Sequence, residues 1–443
     1  MLGSMPGALH TDLYELNMVA SYLRRKMTGP ATFSLYVREL PEGWGFLVAC
    51  GLERCLDYLE GLSFSEEELA YLGEAHGYDE ETLAAFRDLR FTGDVWAVPE
   101  GRTVLPETPI LEVTAPLPEA QLVESYLLNQ VTYVTAVAST AARCRLAAPG
   151  KDLVDFAYRR VHGDEAGTGV ARAGAIVGFS ATSNADAARR LGLRATGTMA
   201  HSYIEAFDDE ETAFRAFAED FPERVVLLVD TYDTLRGVAK AIEVAHELRD
   251  RGGALRGIRL DSGDLGELAR RARQLLDEAG LPDVRIFASG GLDERRIAAL
   301  ADAPIDAFGV GSRVGTAAGA PTLDSVYKLV EYDGRSVAKI SPAKATLPGR
   351  KQVWRTAGGD VLGLRDQDPP DGEPLLEEVV RDGKRLDTSG WREARDRFEA
   401  DLEALPPDHR SLDARPAPMK RTPELETLDR EIRERIRRRE LGG

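Results

Sequence analysis

Cysteine is scarce: among 443 residues only Cys50, Cys55 and Cys144 occur, and no two are spaced as Cys-x-x-Cys. So sparse and odd a set excludes a disulfide framework and a cysteine-based zinc site. It fits a reducing cytoplasm, which is the expected location. Long apolar runs are missing as well, and none approaches the ~20 residues needed to span a bilayer. The opening carries Asp12 and Glu15 with no basic-then-apolar run, so no secretory signal is expected. Positive charge is in deficit. A net charge of −18 disfavours non-specific binding to nucleic acid or to an anionic membrane. Small anions stay open wherever arginines and backbone N–H groups converge. No Gly-x-Gly-x-x-Gly opens a helix after a first strand, so a dinucleotide-binding fold is unsupported.

The length asks for two or three domains. Residues 10–115 mix a helix from Asp12 to Arg25 with strand-like runs at Ala31–Val37, Gly45–Ala49 and Asp94–Val98, and an acidic helical stretch from Ser65 to Leu89. Pro106, Pro109, Pro116 and Pro118 then punctuate the chain and suggest a boundary. Residues 119–148 read as a buried apolar helix pair. Beyond them, short β-rich runs alternate with amphipathic helices: Leu153–Phe156, Leu193–Thr198, Val225–Val229, Arg256–Leu260, Val284–Ala288 and Ile305–Val310. Repeated βα units with apolar strands predict a parallel sheet covered by helices, closer to a barrel than to a doubly wound sheet. Strand-like runs return at Tyr327–Tyr332, Ser336–Ile340 and Lys351–Arg355, and suit pairing with the N-terminal strands. The expected class is therefore α/β: an irregular parallel α/β barrel plus a split α/β domain built from N- and C-terminal segments. Its stretches are residues 1–118, the barrel at 119–325, the returning part at 326–400 and a charged helical tail at 401–443.

In a parallel barrel the catalytic groups sit at the C-terminal strand ends. Those ends carry Tyr158-Arg159-Arg160, Thr198 to His201, Asp230-Thr231, Arg259 to Asp264, Ser289-Gly290-Gly291 and Gly309 to Ser312. The chain has only six histidines. His201, just before a helical pattern, places a titratable imidazole where such an enzyme keeps its chemistry. Glycine loops opening helices suit phosphate, because the backbone approaches closely and free N–H groups point outward. Ser289–Gly291 and Gly309–Ser312, with Gly311 in the second loop, follow the last two strands, where barrel phosphate sites lie. Arg159, Arg160 and Arg259 offer forked donors for carboxylate or phosphate, although the adjacent pair equally suits a surface ion pair. Asp230, Asp261 and Asp264 suit Mg²⁺ held through water; capping of the following helices is the competing reading. Val225–Thr234 is similar only in outline to a diphosphate-sugar motif, since Thr231 and Tyr232 separate its acids and no glycine loop follows.

Taken together, Thr11–Tyr14, Gly197–Ser202, Val229–Tyr232, Arg259–Asp264 and Thr346–Lys351 resemble, in order, the motifs of the nicotinate phosphoribosyltransferase family. The resemblance covers residues 10 to about 355. It implies a type II phosphoribosyltransferase, usually a homodimer with shared active sites. The implied reaction joins nicotinate and 5-phosphoribosyl 1-diphosphate into nicotinate mononucleotide and diphosphate, the first step of NAD salvage from nicotinate. ATP is the implied co-substrate and Mg²⁺ the implied cofactor. By the same resemblance His201 is the transiently phosphorylated histidine. Tyr14, Thr198 and Arg259 match nicotinate-binding positions, and Arg159 and Arg160 match a basic pair near substrate. Ser312 and Thr316 lie in the phosphoribosyl-binding stretch, with no preference between them. Asp261 and Asp264 are taken as catalytic and Asp230 as the magnesium ligand. Nicotinamide phosphoribosyltransferase is the nearest competitor; it favours a carboxylate near Thr198, where this chain has Met199 and Ala200. Quinolinate phosphoribosyltransferase needs more basic residues for two carboxylates. A non-catalytic nucleotide sensor has no need of a phosphoryl acceptor.

Overall fold

The computed structural model describes residues 7–342 and 344–442. The extreme ends of the first and last expected stretches therefore lie outside the described residues. The chain divides into two compact units: one made of residues up to Ala136 together with those from Thr322 onward, the other of Val137–Pro321.

The first unit is built on an antiparallel seven-stranded sheet. Its order is Arg335–Ser336, Ser325–Tyr332, Pro30–Val37, Pro109–Pro116, Asp94–Ala97, Glu377–Arg381, Lys384–Arg385. Three N-terminal strands thus form the middle of the sheet and two C-terminal strands flank them on each side, so both segments build one sheet. Pro30–Val37 is buried along nearly its whole length, and Phe33 stacks on Tyr327 of the neighbouring strand with ring centroids 4.8 Å apart. Much of the proline-marked stretch, Pro109–Pro116, is a strand of this sheet. Pro109 and Pro116 occupy its two ends, where a missing N–H leaves the middle of the ladder intact.

Two other expectations shift. The helix pair is a short helix, Leu117–Leu122, followed by a single long one, Glu124–Ala147. Of the run Ser336–Ile340 only the first residue pairs, in the strand Arg335–Ser336. A second sheet orders Glu373–Pro374, Lys351–Thr356, Gly359–Leu364 and Lys420–Arg421. Lys351, from the last of the sequence motifs, is 2% exposed and pairs with fully buried Glu112 at 3.3 Å. The charged tail is a helix, Pro423–Leu441, as expected, with Leu425 and Ile432 buried.

The second unit holds a curled, six-stranded parallel sheet. Its order is Ala181–Thr182, Asp152–Asp155, Ala307–Val310, Arg285–Ala288, Leu255–Leu260, Val225–Leu228. Val225, Leu227, Ile258, Leu260, Ile286, Phe308 and Val310 are buried at 0–1% exposure, the pattern of strands covered on both faces. Four of the helices after the strands start on side-chain caps: Asn184, Asp233, Asp264 and Asp293 each accept from a backbone N–H three residues on. The run Leu193–Thr198 does not form the expected strand. Only Ala195 bridges to Thr182, and Arg194, Ala195 and Gly197 are exposed. The paired strand at that place is Ala181–Thr182.

Candidate functional site

At the C-terminal side of the parallel sheet six of the expected residues, Thr198, His201, Asp230, Arg259, Asp261 and Ser289, take part in three small hydrogen-bonded groups. Arg259 sits at the penultimate position of Leu255–Leu260. Its guanidinium donates from Nη1 to Thr198 Oγ1 at 2.9 Å and from Nη2 to the Met199 carbonyl at 3.0 Å. Its Nε is shut off from solvent without a partner. Burial lowers the proton affinity of Arg259; Asp261 and Asp230 oppose that effect and nearby Arg159 adds to it. Those carboxylates act at a distance: among the described residues none makes an ion pair with Arg259.

His201 is the first residue of a five-residue helix, His201–Glu205, reached through an unpaired loop. Its Nδ1 lies 3.1 Å from Thr231 Oγ1. Thr231 escaped the sequence reading as a site residue; the available signal was its place directly after Asp230 at a strand end. Asp230 Oδ2 accepts the Asp261 N–H at 2.9 Å and the Ser262 hydroxyl at 2.6 Å. Its Oδ1 is buried with no partner. Asp261 Oδ1 accepts the hydroxyl of Ser289, which is 3% exposed. Adjacent strand ends are therefore stitched by Asp230–Asp261 and Asp261–Ser289.

Gly290 has φ +97°, and a Cβ there would lie 2.0 Å from the Asp261 carbonyl oxygen. Its bareness lets the loop close on Asp261. Gly291 also has positive φ, at +63°. Gly311 precedes the single turn Ser312–Gly315, and Thr316 Oγ1 donates back to the Ser312 carbonyl at 2.8 Å. Arg159 and Arg160 are exposed on the short 3-10 turn Tyr158–Arg160, and no ion pair ties them down among the described residues. The turn is fixed from below by Asp155, also missed by the sequence reading. This buried carboxylate accepts from the Ala157 N–H at 2.8 Å and the Thr182 hydroxyl at 2.6 Å.

Asp264 Oδ1 accepts the Glu267 N–H at 3.1 Å, so one of its oxygens caps the helix Leu265–Glu278. Tyr14 belongs to the first unit, on the helix Leu13–Arg24, with 51% of its surface exposed. Among the described residues no group of three or more His, Cys, Asp or Glu side chains is arranged to hold a metal. No helix among them is long and apolar enough to cross a membrane.

Residues 9–132 match the nicotinate phosphoribosyltransferase (NAPRTase) N-terminal domain, and residues 170–324 match the quinolinate phosphoribosyl transferase C-terminal domain. The chain is 47% identical over 416 residues to nicotinate phosphoribosyltransferase pncB2 of Mycobacterium tuberculosis, covering 92% of this chain and 89% of that one. It is 44% identical over 396 residues to the nicotinate phosphoribosyltransferase of Bacillus subtilis, covering 86% and 78%. The crystal structure of human nicotinic acid phosphoribosyltransferase superposes with a TM-score of 0.85 at 27% identity, over 95% of this chain and 99% of that one. Sequence and fold agree along nearly the whole length, and the chain belongs to the nicotinate phosphoribosyltransferase family.

Proposed function

We propose that the protein joins nicotinate and 5-phosphoribosyl 1-diphosphate into nicotinate mononucleotide and diphosphate in NAD salvage, with ATP hydrolysis coupled to the transfer. One observation carries the choice of an acidic ring: among the described residues the Arg259 guanidinium donates only to neutral oxygens and has no contacting carboxylate. A cation withdrawn from water without a counter-ion favours an anionic ligand, which an amide is not. Thr198, already fixed by Arg259, orients the ring, and Tyr14 offers it an aromatic face.

Displacing diphosphate builds positive charge on the ribosyl carbon and negative charge on the leaving group. Positioned donors stabilise the second. In our reading these are Arg159, Arg160 and the backbone of Ser289–Gly291 and Gly311–Thr316, with the hydroxyls of Ser312 and Thr316. Asp261, aimed by Ser289, places negative charge for the ribosyl cation, and Asp264 contributes through the helix it caps. The donor set fits magnesium in one mode. Asp230 Oδ1 is a carboxylate oxygen without a donor, and Mg²⁺ is commonly held by one or two carboxylates plus substrate phosphates. Bound there, the ion would neutralise charge on the leaving diphosphate.

His201 is the phosphoryl acceptor in this scheme. Thr231 engages Nδ1 and leaves Nε2 without a partner among the described residues. With the proton on Nδ1, the Nε2 lone pair attacks the γ-phosphorus of ATP. An N–P bond forms, the P–O bond to ADP breaks, and water later releases phosphate and restores the imidazole. We also propose a cytoplasmic homodimer in which Tyr14 serves a neighbouring subunit's nicotinate site. The test supplies nicotinate or nicotinamide with 5-phosphoribosyl 1-diphosphate and Mg²⁺, with and without ATP. Product from nicotinate, increased by ATP, is expected; product from nicotinamide alone would overturn the assignment.

A further inference from the structure

Beneath the exposed ring of Tyr14, two acidic side chains converge inside the first unit. Glu15, on the helix Leu13–Arg24, is 0% exposed. Glu124 opens the helix Glu124–Ala147. Gln121, on the short helix between them, donates from one nitrogen to both: 2.7 Å to Glu15 Oε2 and 3.1 Å to Glu124 Oε2. The two carboxyl groups thus meet on one amide nitrogen, and the other oxygen of Glu15, Oε1, is buried with no hydrogen-bond partner among the described residues. Two carboxylates have only acceptors, and two of them brought onto one donor repel each other unless one keeps a proton.

The surroundings offer no substitute for that proton. On the first helix the facing groups are Asp12, Tyr14 and Tyr22; on the strand Ser325–Tyr332 they are Tyr327 and Lys328. Lys328 alone is cationic, and neither Glu15 nor Glu124 forms an ion pair among the described residues. Burial pushes Glu124 up to about 7, with the Glu15 charge adding and Lys328 opposing. Burial also raises Glu15, and Asp12 adds to that, with neighbouring Tyr14, Gln121 and Glu124 opposing.

We infer that Glu15 and Glu124 hold a single proton between them and through it position Tyr14, which makes them positioning residues for the ring that meets nicotinate. The inference rests on the role given to Tyr14 above. When the shared proton leaves, two anions face each other across one amide. The helix start carrying Tyr14 then moves off its position.

Two measurements test this on the full-length protein. The folded pair holds its proton above the ordinary carboxyl value of 4.5, up to about 7. Its stabilisation is therefore complete at acid pH and lost as pH rises through that window. Thermal unfolding of the wild type should drop across it relative to Glu124→Gln, whose amide cannot ionise. Parallel curves for the two proteins would overturn the shared proton, and Glu15→Gln provides the same comparison from the other side. The second readout is the nicotinate KM between pH 6 and 8.5. It should rise by about threefold or more in the wild type and stay level in Glu124→Gln, with the KM for 5-phosphoribosyl 1-diphosphate unmoved in both. A melting difference without a nicotinate KM difference would overturn the link to Tyr14. If nicotinate yields no product at all, the proposed function fails, and the melting comparison still decides the shared proton.

Discussion

His201 is useful as a phosphoryl acceptor only if one ring nitrogen is committed and the other is free. Thr231 Oγ1, 3.1 Å from Nδ1, provides that asymmetry. His201→Ala should keep basal transfer and lose ATP stimulation. Coupling energies of this kind usually span ~5–150-fold, so the loss should be of that order. Thr231→Val removes the hydroxyl and leaves the imidazole free to turn, so less phosphate should be trapped on the protein from γ-labelled ATP. Undiminished labelling in Thr231→Val would show that the hydroxyl does not set the tautomer; ATP stimulation that survives in His201→Ala would remove the histidine from the scheme. Asp230, Arg259, Asp261 and Ser289 could be placed at or beside strand ends because those ends recur with the βα period, whereas Thr198 and His201 lie off the sheet, at a loop and at a short helix start. Their hydrogen bonds were not. Thr231 meets a side chain thirty residues away in the chain, and no local pattern encodes which strand end lies beside which.

At the scale of elements, the apolar runs of the parallel sheet announced themselves, and five of the six strands fall within a residue or two of expectation. Leu193–Thr198 has strand-like composition but finds only one bridge, because pairing depends on what lies alongside and not on propensity. Pro109–Pro116 was obscured by the residues that bound it. Gly359–Leu364 and Glu377–Arg381 escaped notice because glycine and charge break their apolar pattern. The loop after Arg285–Ala288 invites a direct test of element geometry. A methyl on Gly290 meets the Asp261 backbone at 2.0 Å, whereas one on Gly291 meets the movable tip of Arg296 at 2.9 Å. Both glycines have positive φ, which costs about 1 kcal/mol for alanine. Only Gly290→Ala must also push the loop off Asp261, for an overpacking penalty of about 1–3 kcal/mol more. Gly290→Ala should therefore melt lower than Gly291→Ala, which loses only the backbone cost of about 1 kcal/mol, and only Gly290→Ala should raise the KM for 5-phosphoribosyl 1-diphosphate. Equal effects from the two variants would mean that close approach to Asp261 is unimportant.

On the scale of the whole molecule, the first unit must hold together segments separated by hundreds of residues. One buried carboxylate gathers three of them. Asp401, on the helix Trp391–Ala404, accepts from Arg102 Nε at 3.1 Å, from the Thr103 N–H at 2.7 Å and from Arg355 Nη1 at 2.6 Å. Arg102 and Arg355 keep other acids, Glu373 and Asp360. Removing Asp401 therefore leaves a partly compensated cluster rather than bare charges. Breaking one side of a buried ion pair commonly costs ~3–5 kcal/mol, and the retained partners place Asp401→Ala near the lower end of that range. Asp401→Asn keeps an acceptor for the Thr103 N–H while removing the charge, so it should fall between alanine and wild type. Denaturant midpoints give the ranking; amide exchange locates the damage. Faster exchange is expected together at Thr103, along Lys351–Thr356 and in the helix Trp391–Ala404. If only the helix exchanges faster, Asp401 merely anchors its own element, and the union of the N- and C-terminal segments rests instead on strand pairing and on Glu112 with Lys351.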